Sequence, residues 1–95
     1  MSAYWIAIYK NLNNPENLKA YAEKATPAIK KHNGKILVRG GIAETIEGES
    51  SPRTVIIEFP NFEEALKCYN SKEYQDAKKL VKEGFNRQIQ IVEGI

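Results

Sequence analysis

The sequence predicts an α+β fold built from four strands and two helical layers. Segments with continuous, strand-like apolar runs and segments with apolar residues at helical spacing follow one another along the chain, in the order strand–helix–strand–strand–helix–strand. The 95 residues contain no linker, repeat or low-complexity segment and suffice for one core, so residues 1–95 are expected to form one domain. Right-handed crossovers and a hairpin between the second and third strands then predict a four-stranded antiparallel sheet with strand order 4-1-3-2.

The first strand and the first helix have clear signals. Residues Ala3–Tyr9 are apolar without alternation, which is typical of a strand buried on both faces. Asn14 followed by Pro15 predicts a helix start, because a capping side chain precedes a residue preset for the first turn. Pro27 predicts a kink or break near residues 25–26, and the helix is expected to end at Gly34 in the left-handed conformation.

The middle of the chain predicts a hairpin. Residues 35–47 are interpreted as a long second strand, with a bulge or a close backbone approach at Gly40 and Gly41. Residues 48–52 predict a turn. Arg53–Phe59 is β-branched and apolar on successive residues, which predicts a third, central strand.

The last third predicts two helical segments and an edge strand. Asn61 is expected to cap a short helix, and a second segment begins near Ser71 and stops at Gly84. Residues 86–92 alternate between isoleucine and polar residues, which indicates a strand with one wetter face. The side chains expected to point inward from the two helical segments are Phe62, Ala65, Leu66, Tyr69, Tyr74, Ala77, Leu80 and Val81.

The sheet face opposite the helices also carries apolar residues. On the first strand, Tyr4, Ile6 and Ile8 share one face, and Ile56 lies on a face of the third strand. An uncovered patch of this kind is larger than soluble monomers usually expose. We therefore expect a homodimer packed through the sheet faces; the alternative is one amphipathic sheet with a few exposed hydrophobic side chains.

Composition excludes several classes. Fourteen Lys+Arg against twelve Asp+Glu give a net charge of +2, which is too balanced to indicate a nucleic-acid or membrane partner. One cysteine excludes an intramolecular disulfide, and one histidine excludes a multi-histidine zinc site. No cofactor-binding motif is present, so no cofactor or metal is expected. The N-terminus lacks the pattern of an export signal, and a cytoplasmic location is expected.

Several short motifs resemble a known family. RGG (39–41), EFP (58–60), YNSKEYQ (69–75) and VEG (92–94) occur in the order and spacing of domain-of-unknown-function family 1330, and the resemblance covers essentially the whole chain. The resemblance implies a ferredoxin-like protomer of the dimeric α/β-barrel superfamily and a sheet-to-sheet homodimer. Cys68 stands where the family usually has tryptophan, and Val81 stands where an arginine would be expected.

Seven residues are candidates for a functional site. His32 is interpreted either as a helix-end residue favoured by the dipole or as a proton-transfer group at a cleft. Arg39 on an apolar strand needs a partner, and Glu58 is the expected one; the pair is either structural or orients a carbonyl or carboxylate ligand. Cys68 is expected to be a buried hydrophobic residue. The candidate ligand-binding residues are Tyr4, Gly40, Glu58, Tyr69 and Tyr74, beside His32 and Arg39 as candidate catalytic residues.

Two functions are compatible with this pattern. The first is binding of a small, mostly apolar or aromatic molecule in a cleft between sheet and helices, near His32, Arg39, Tyr69 and Tyr74. The second is a cofactor-free enzyme, monooxygenase- or isomerase-like, with His32 as acid/base and Arg39 as electrostatic stabiliser. The superfamily resemblance implies this second possibility, but fold alone does not determine function.

Overall fold

The computed structural model describes residues 1–12, 14–81 and 86–95. The elements in chain order are β1 (Ala3–Tyr9), α1 (Pro15–Lys31), β2 (Lys35–Arg39), β3 (Arg53–Phe59), α2 (Phe62–Asn70), α3 (Lys72–Lys78) and β4 (Arg87–Glu93). The four strands form one antiparallel sheet in the order β2-β3-β1-β4, which confirms the predicted strand order.

The central strand β1 separates two faces of the sheet. Its odd-numbered residues Ala3, Trp5, Ala7 and Tyr9 are all buried, at 2% exposure or less, beneath the helices. The even-numbered residues point to the other face, which the helices leave uncovered. Because side chains alternate along a strand, the pairing register carries this division across the whole sheet.

Helix α1 differs from the prediction at two places. The helix is continuous from Pro15 to Lys31, so of the kink or break expected near Pro27, the break does not occur. Proline removes one backbone hydrogen bond, but Pro27 and the residue four before it, Glu23, are both exposed, and water can solvate the freed carbonyl. The left-handed residue after the helix is Asn33, with φ of 63°, rather than Gly34.

Strand β2 is much shorter than the predicted residues 35–47. It ends at Arg39, which pairs with Val55, and residues 40–50 are exposed. The cause is the length of its neighbour: β3 begins at Arg53, so only two residues remain beyond Val55 to pair with. Gly40, with φ of 67°, turns the chain out of the sheet, and the only irregularity in the described pairing lies earlier, between Ile36 and Val38.

The second helical layer is formed by α2 and α3. Asn61 caps α2 as predicted, and Ser71, near the predicted start of the second segment, caps α3. Ala65, Tyr74 and Ala77 are fully buried, whereas Leu66 and Leu80 are 40% and 36% exposed and do not point inward as expected. Helix α3 ends at Lys78. The predicted stop at Gly84 lies outside the described residues.

Trp5 is the centre of the aromatic core. Its ring packs edge-on against Tyr74 with 4.9 Å between ring centres, and it also contacts Phe59 and Tyr69 at 6.0 and 5.7 Å. Edge-to-face and offset arrangements of this kind are the favourable ones for aromatic rings. The core therefore joins the sheet to α2 and α3 through one indole.

No helix in the described part of the chain is long and apolar enough to cross a membrane.

Candidate functional site

A cavity lies between α1 and the sheet. The enclosed part of the cavity has a volume of about 40 Å³. Together with the mouth, which opens to solvent, the empty space is about 450 Å³. A single water needs about 10–15 Å³ by this inner measure, so the depth of the cavity admits a small group and the mouth admits a larger one. Its lining residues are Trp5, Ala7, Tyr9, Leu18, Tyr21, Ala22, Ala25, Thr26, Ile29, Ile36, Arg39, Arg53, Val55, Ile57 and Arg87.

Three arginines give this otherwise apolar cavity a cationic character. Arg53 is the first residue of β3 and Arg87 is the first residue of β4. Both pair with Tyr9 of the central strand, so the three residues form a row across one end of the sheet. Arg39 ends β2 opposite Val55, next to that row. The described lining contains no aspartate or glutamate.

Arg87 is held by phenol groups. Its Nη1 donates to the hydroxyl oxygens of Tyr9 at 3.0 Å and Tyr21 at 3.3 Å, and its Nη2 donates to the Tyr74 hydroxyl at 2.9 Å. The Tyr21 and Tyr74 hydroxyls also bond to each other. Burial raises the pKa of both phenols above the ordinary value, so they stay neutral at physiological pH. They can therefore solvate the Arg87 cation without neutralising it.

Arg53 is held differently, by stacking and by close packing. Its guanidinium carbon lies 5.9 Å from the centre of the Tyr9 ring, a cation–π arrangement, while Arg87 lies 5.6 Å from the same centre. A side chain at Gly40 would meet Arg53, because a Cβ atom there would lie 2.2 Å from Nη1. The Nε atom of Arg53 is buried and has no hydrogen-bond partner among the described residues.

Substitution of Gly40 tests this packing. Gly40→Ala is expected to lower the free energy of unfolding by about 1–2 kcal/mol, because it strains a positive-φ position and displaces the Arg53 guanidinium. Gly48→Ala is the matched control, since Gly48 also has a positive φ, of 88°, and a Cβ atom there meets nothing within 4 Å. Urea unfolding of the two variants measures the difference; equal stability would show that Gly40 does not make room for Arg53.

The predicted site residues do not converge on this cavity. Of His32, Arg39, Tyr69 and Tyr74, only Arg39 lines it, so this cavity is not a cleft shared by all four. His32 caps the end of α1, and its Nδ1 lies 3.4 Å from Oε1 of Glu64 on α2. The cause is geometric: His32 precedes the start of β2, whereas Arg39 ends that strand.

Tyr74 and Tyr69 lie behind the cavity wall. Tyr74 is not a lining residue, but it contacts three that are: its hydroxyl hydrogen-bonds to Arg87 and Tyr21, and its ring packs against Trp5. Tyr69 packs against Trp5, and its hydroxyl accepts a hydrogen bond from Nζ of Lys78 at 2.9 Å. Both phenols are therefore parts of the aromatic core and its supports.

The expected Arg39–Glu58 ion pair is not formed within the protomer. Arg39 pairs with Val55 on the helix side of the sheet, whereas Glu58 pairs with Lys35 on the uncovered side. Glu58 instead accepts a hydrogen bond from the hydroxyl of Tyr4, at 3.3 Å. Tyr4 and Glu58 thus belong to the uncovered face, and the error arose because spacing alone left the end of β2 and its register undetermined.

Cys68 is confirmed as a buried residue. It is fully inaccessible, and its Sγ lies 3.8 Å from the carbonyl oxygen of Ala28. Burial, reinforced by the carboxylates of Glu64 and Glu73, raises the pKa of the thiol to about 12. The reactive thiolate is therefore scarce near neutral pH, which argues against a nucleophilic role.

Sequence reasoning missed Tyr9, Tyr21, Arg53 and Arg87 as site residues. The sequence signal that could have identified the two arginines is that each is the first residue of a strand that flanks β1. Since all three strands are antiparallel neighbours, the first residues of β3 and β4 meet the last residue of β1. That alignment depends on register, which a pattern of apolar residues determines only to within a shift of two.

A second, wider groove lies between α1 and α3, with a volume of about 390 Å³. It is open, and it is lined by charges of both signs, including Lys31 and Glu73, which form an exposed ion pair at 3.0 Å. Exposed pairs of this kind contribute little to stability. The groove lacks the enclosed apolar walls of the first cavity, which makes it the weaker candidate although it is larger.

The uncovered face of the sheet carries apolar side chains that the protomer leaves accessible. Ile8, Val38 and Val92 are 40%, 36% and 43% exposed, and Ile6 and Ile56 are half-buried beside them. They come from all four strands and lie on the same side of the sheet. The face opposite the cavity therefore has an apolar centre, and the polar residues that share this face include Thr54, Glu58, Gln88 and Gln90.

No three metal-binding side chains cluster in the part of the chain that the structure describes. The strand order, the helices on one face and the cavity beneath α1 define a ferredoxin-like α+β protein. The chain belongs to the family described as a domain of unknown function (DUF1330), whose model matches residues 2–95 and confirms the resemblance. A search of proteins with curated functions gives no match.

Several solved structures share the fold. A protein of unknown function from Rhodopseudomonas palustris has a TM-score of 0.77 at 15% identity, over 99% of this chain and 82% of that one. A dimeric ferredoxin-like protein of unknown function from Bacteroides fragilis has a TM-score of 0.63 at 16% identity, covering 98% and 96%. A candidate antibiotic biosynthesis monooxygenase from Caulobacter crescentus has a TM-score of 0.61 at 10% identity, covering 99% and 90%. At these identities the likeness shows the fold.

Proposed function

We propose that this protein binds a small, mostly apolar molecule in the cavity between α1 and the sheet. The observation that carries the proposal is the cavity itself, which has aliphatic and aromatic walls and a few polar groups gathered at one end. Ligand sites in proteins commonly combine these two properties. Of the residues predicted from sequence, Arg39 lines this site and Gly40 shapes it through Arg53.

We further propose a homodimer formed through the uncovered sheet face. The support is the group of apolar side chains on this face, of which Ile8, Val38 and Val92 are 40%, 36% and 43% exposed, because a second copy would cover them. The similar protein from Bacteroides fragilis is described as dimeric. In this arrangement the two cavities lie on the outer sides of the paired sheets, beneath the helices. A cytoplasmic location stays a prediction from the sequence.

The enzymatic alternative has less support. The similar Caulobacter crescentus protein carries a monooxygenase name, but an acid/base role for His32 would require that residue at the cavity. His32 is not a lining residue and contacts Glu64 instead. The described lining contains no histidine, aspartate or glutamate, the side chains that most often serve as general acid or base. Binding is therefore the function that the geometry favours.

A fragment titration tests the binding proposal. Benzoate, benzamide, benzyl alcohol and cyclohexanol are added at millimolar concentration to ¹⁵N-labelled protein. We expect at least one to shift the amide resonances of Ala22, Ala25 and Val55, because these residues line the cavity. Ala22→Trp is expected to abolish those shifts, since the indole fills the space beneath α1.

Ala20→Trp is the matched control. Ala20 is on the same helix and is half-buried like Ala22, but it does not line the cavity. The control variant should bind as the wild type does. If no fragment perturbs the lining residues, or if Ala22→Trp binds unchanged, the cavity is not a ligand site.

A further inference from the structure

We propose that the ligand of this cavity is a small organic carboxylate, held by the guanidinium groups of Arg39 and Arg53, with its apolar body against α1 and the sheet. This inference rests on the proposed function and adds the chemical class of the ligand. It is carried by the charge of the described lining, by the state of Arg53 and by the shape of the site.

The lining is cationic and has no described counter-charge. Arg39, Arg53 and Arg87 each carry a permanent positive charge, and no carboxylate belongs to the described lining. Neither Arg39 nor Arg53 forms a salt bridge with a carboxylate that the structure describes. Like charges gathered against apolar walls repel one another more strongly than in water, and an anion bound among them relieves that repulsion.

Arg53 is positioned as though for a ligand. Tyr9 stacks on its guanidinium, and Gly40 leaves the space that its Nη1 occupies. Yet the guanidinium makes no hydrogen bond or salt bridge to any described residue, and its buried Nε has no acceptor there. A buried N–H group without an acceptor destabilises the fold, and a bound anion would supply the missing acceptor.

Arg87 supports the site and is not assigned to the ligand, because three phenol groups hold its guanidinium. Its two terminal nitrogens already donate to Tyr9, Tyr21 and Tyr74. These bonds anchor the Tyr9 ring on which Arg53 stacks. Arg87 thus fixes the geometry of the cationic end, while Arg53 and the exposed Arg39 have donors available for a bound anion.

The walls select the rest of the ligand. Leu18, Ala22, Ala25 and Val55 offer aliphatic surface and no hydrogen-bonding side chain. A planar guanidinium matches the two oxygens of a carboxylate. An apolar body attached to that carboxylate would lie against these walls and extend into the mouth of the cavity, which opens to solvent. An inorganic anion would leave this apolar surface uncovered.

Comparison of benzoate with benzamide tests the inference, because the two differ in charge and hardly in size. We expect wild-type protein to bind benzoate about tenfold or more tightly than benzamide, as charge-assisted hydrogen bonds require. Arg53→Gln should reduce this preference to about unity. Arg53→Lys keeps the charge but loses the planar pair of donors that matches a carboxylate, and it should retain part of the preference. Lys19→Gln removes the same charge from an exposed helix position and should retain the full preference.

The outcomes separate this inference from the proposed function. Equal affinity for benzoate and benzamide, with both lost in Ala22→Trp, would leave the cavity a ligand site and overturn the carboxylate assignment. Inorganic phosphate binding as tightly as benzoate at the same residues would also overturn it, because the walls would then contribute nothing. If Arg53→Gln does not fold, Arg39→Gln provides the same measurement, and an unchanged preference there would contradict the assignment of Arg39.

Discussion

Replacing Trp5 with alanine is expected to lower the free energy of unfolding by about 3–5 kcal/mol. The indole is 1% exposed and contacts three aromatic rings, so its removal leaves a cavity at the junction of the sheet with α2 and α3. A chain of this size has a total stability of about 5–14 kcal/mol, so the loss is a large fraction of the whole.

Chemical denaturation followed by circular dichroism, at one fixed protein concentration, measures this loss. Leu66→Ala on α2 is the control, since Leu66 is 40% exposed and its truncation should cost less than about 1 kcal/mol. Trp5→Phe should fall between the two, because a smaller ring keeps part of the contact. If Trp5→Ala were as stable as Leu66→Ala, the indole would not be the centre of the core.

Placing a charge at Ile56 is expected to abolish the homodimer. Ile56 lies at the middle of the uncovered face, opposite Ile6 on one side and Val38 on the other. Packing two copies face to face would bury the new carboxylate without a partner, at a cost of several kcal/mol. Ile56→Asp should therefore weaken association by more than about hundredfold.

Light scattering at micromolar concentration provides the measurement. Wild type should give about twice the 10.8 kDa of one chain, and Ile56→Asp should give a single chain. Leu66→Asp adds the same charge to an exposed apolar position on the helical layer and should stay dimeric. Ile8→Lys gives a second variant of the same face in case Ile56→Asp precipitates. A monomeric wild type, or a dimer that tolerates both face variants, would contradict the proposed interface.

The elements of the fold were predictable where the apolar pattern is strong. Strands β1 and β3 have the bounds that the sequence predicts, because both are central and their residues are apolar in succession. The end of β2 was not predictable: Ile42 and Ile46 continue a strand-like pattern, yet both are at least 90% exposed in a loop. Pairing Ile42 and Ile46 would require β3 to begin before Arg53, and no local signal in the sequence shows that it does not.

The site was less accessible to sequence reasoning than the fold. Arg39 was identified because a cation on an apolar strand is conspicuous, but its partner was assigned to the wrong face of the sheet. Arg53 and Arg87 each begin a strand, and nothing in their neighbours along the chain distinguishes them from surface arginines. Their role follows from the register that places both beside Tyr9, a contact between residues 44 and 78 positions apart.

The position of bound benzoate is the most direct test of the central claim, that the cavity between α1 and the sheet takes an organic carboxylate. Intermolecular nuclear Overhauser effects can be recorded from the ring protons of benzoate to the methyl groups of the protein. We predict contacts to Ala22, Ala25 and Val55, which line the cavity. Contacts confined to Ile6 and Ile56 on the uncovered face, or none at saturating benzoate, would contradict the claim.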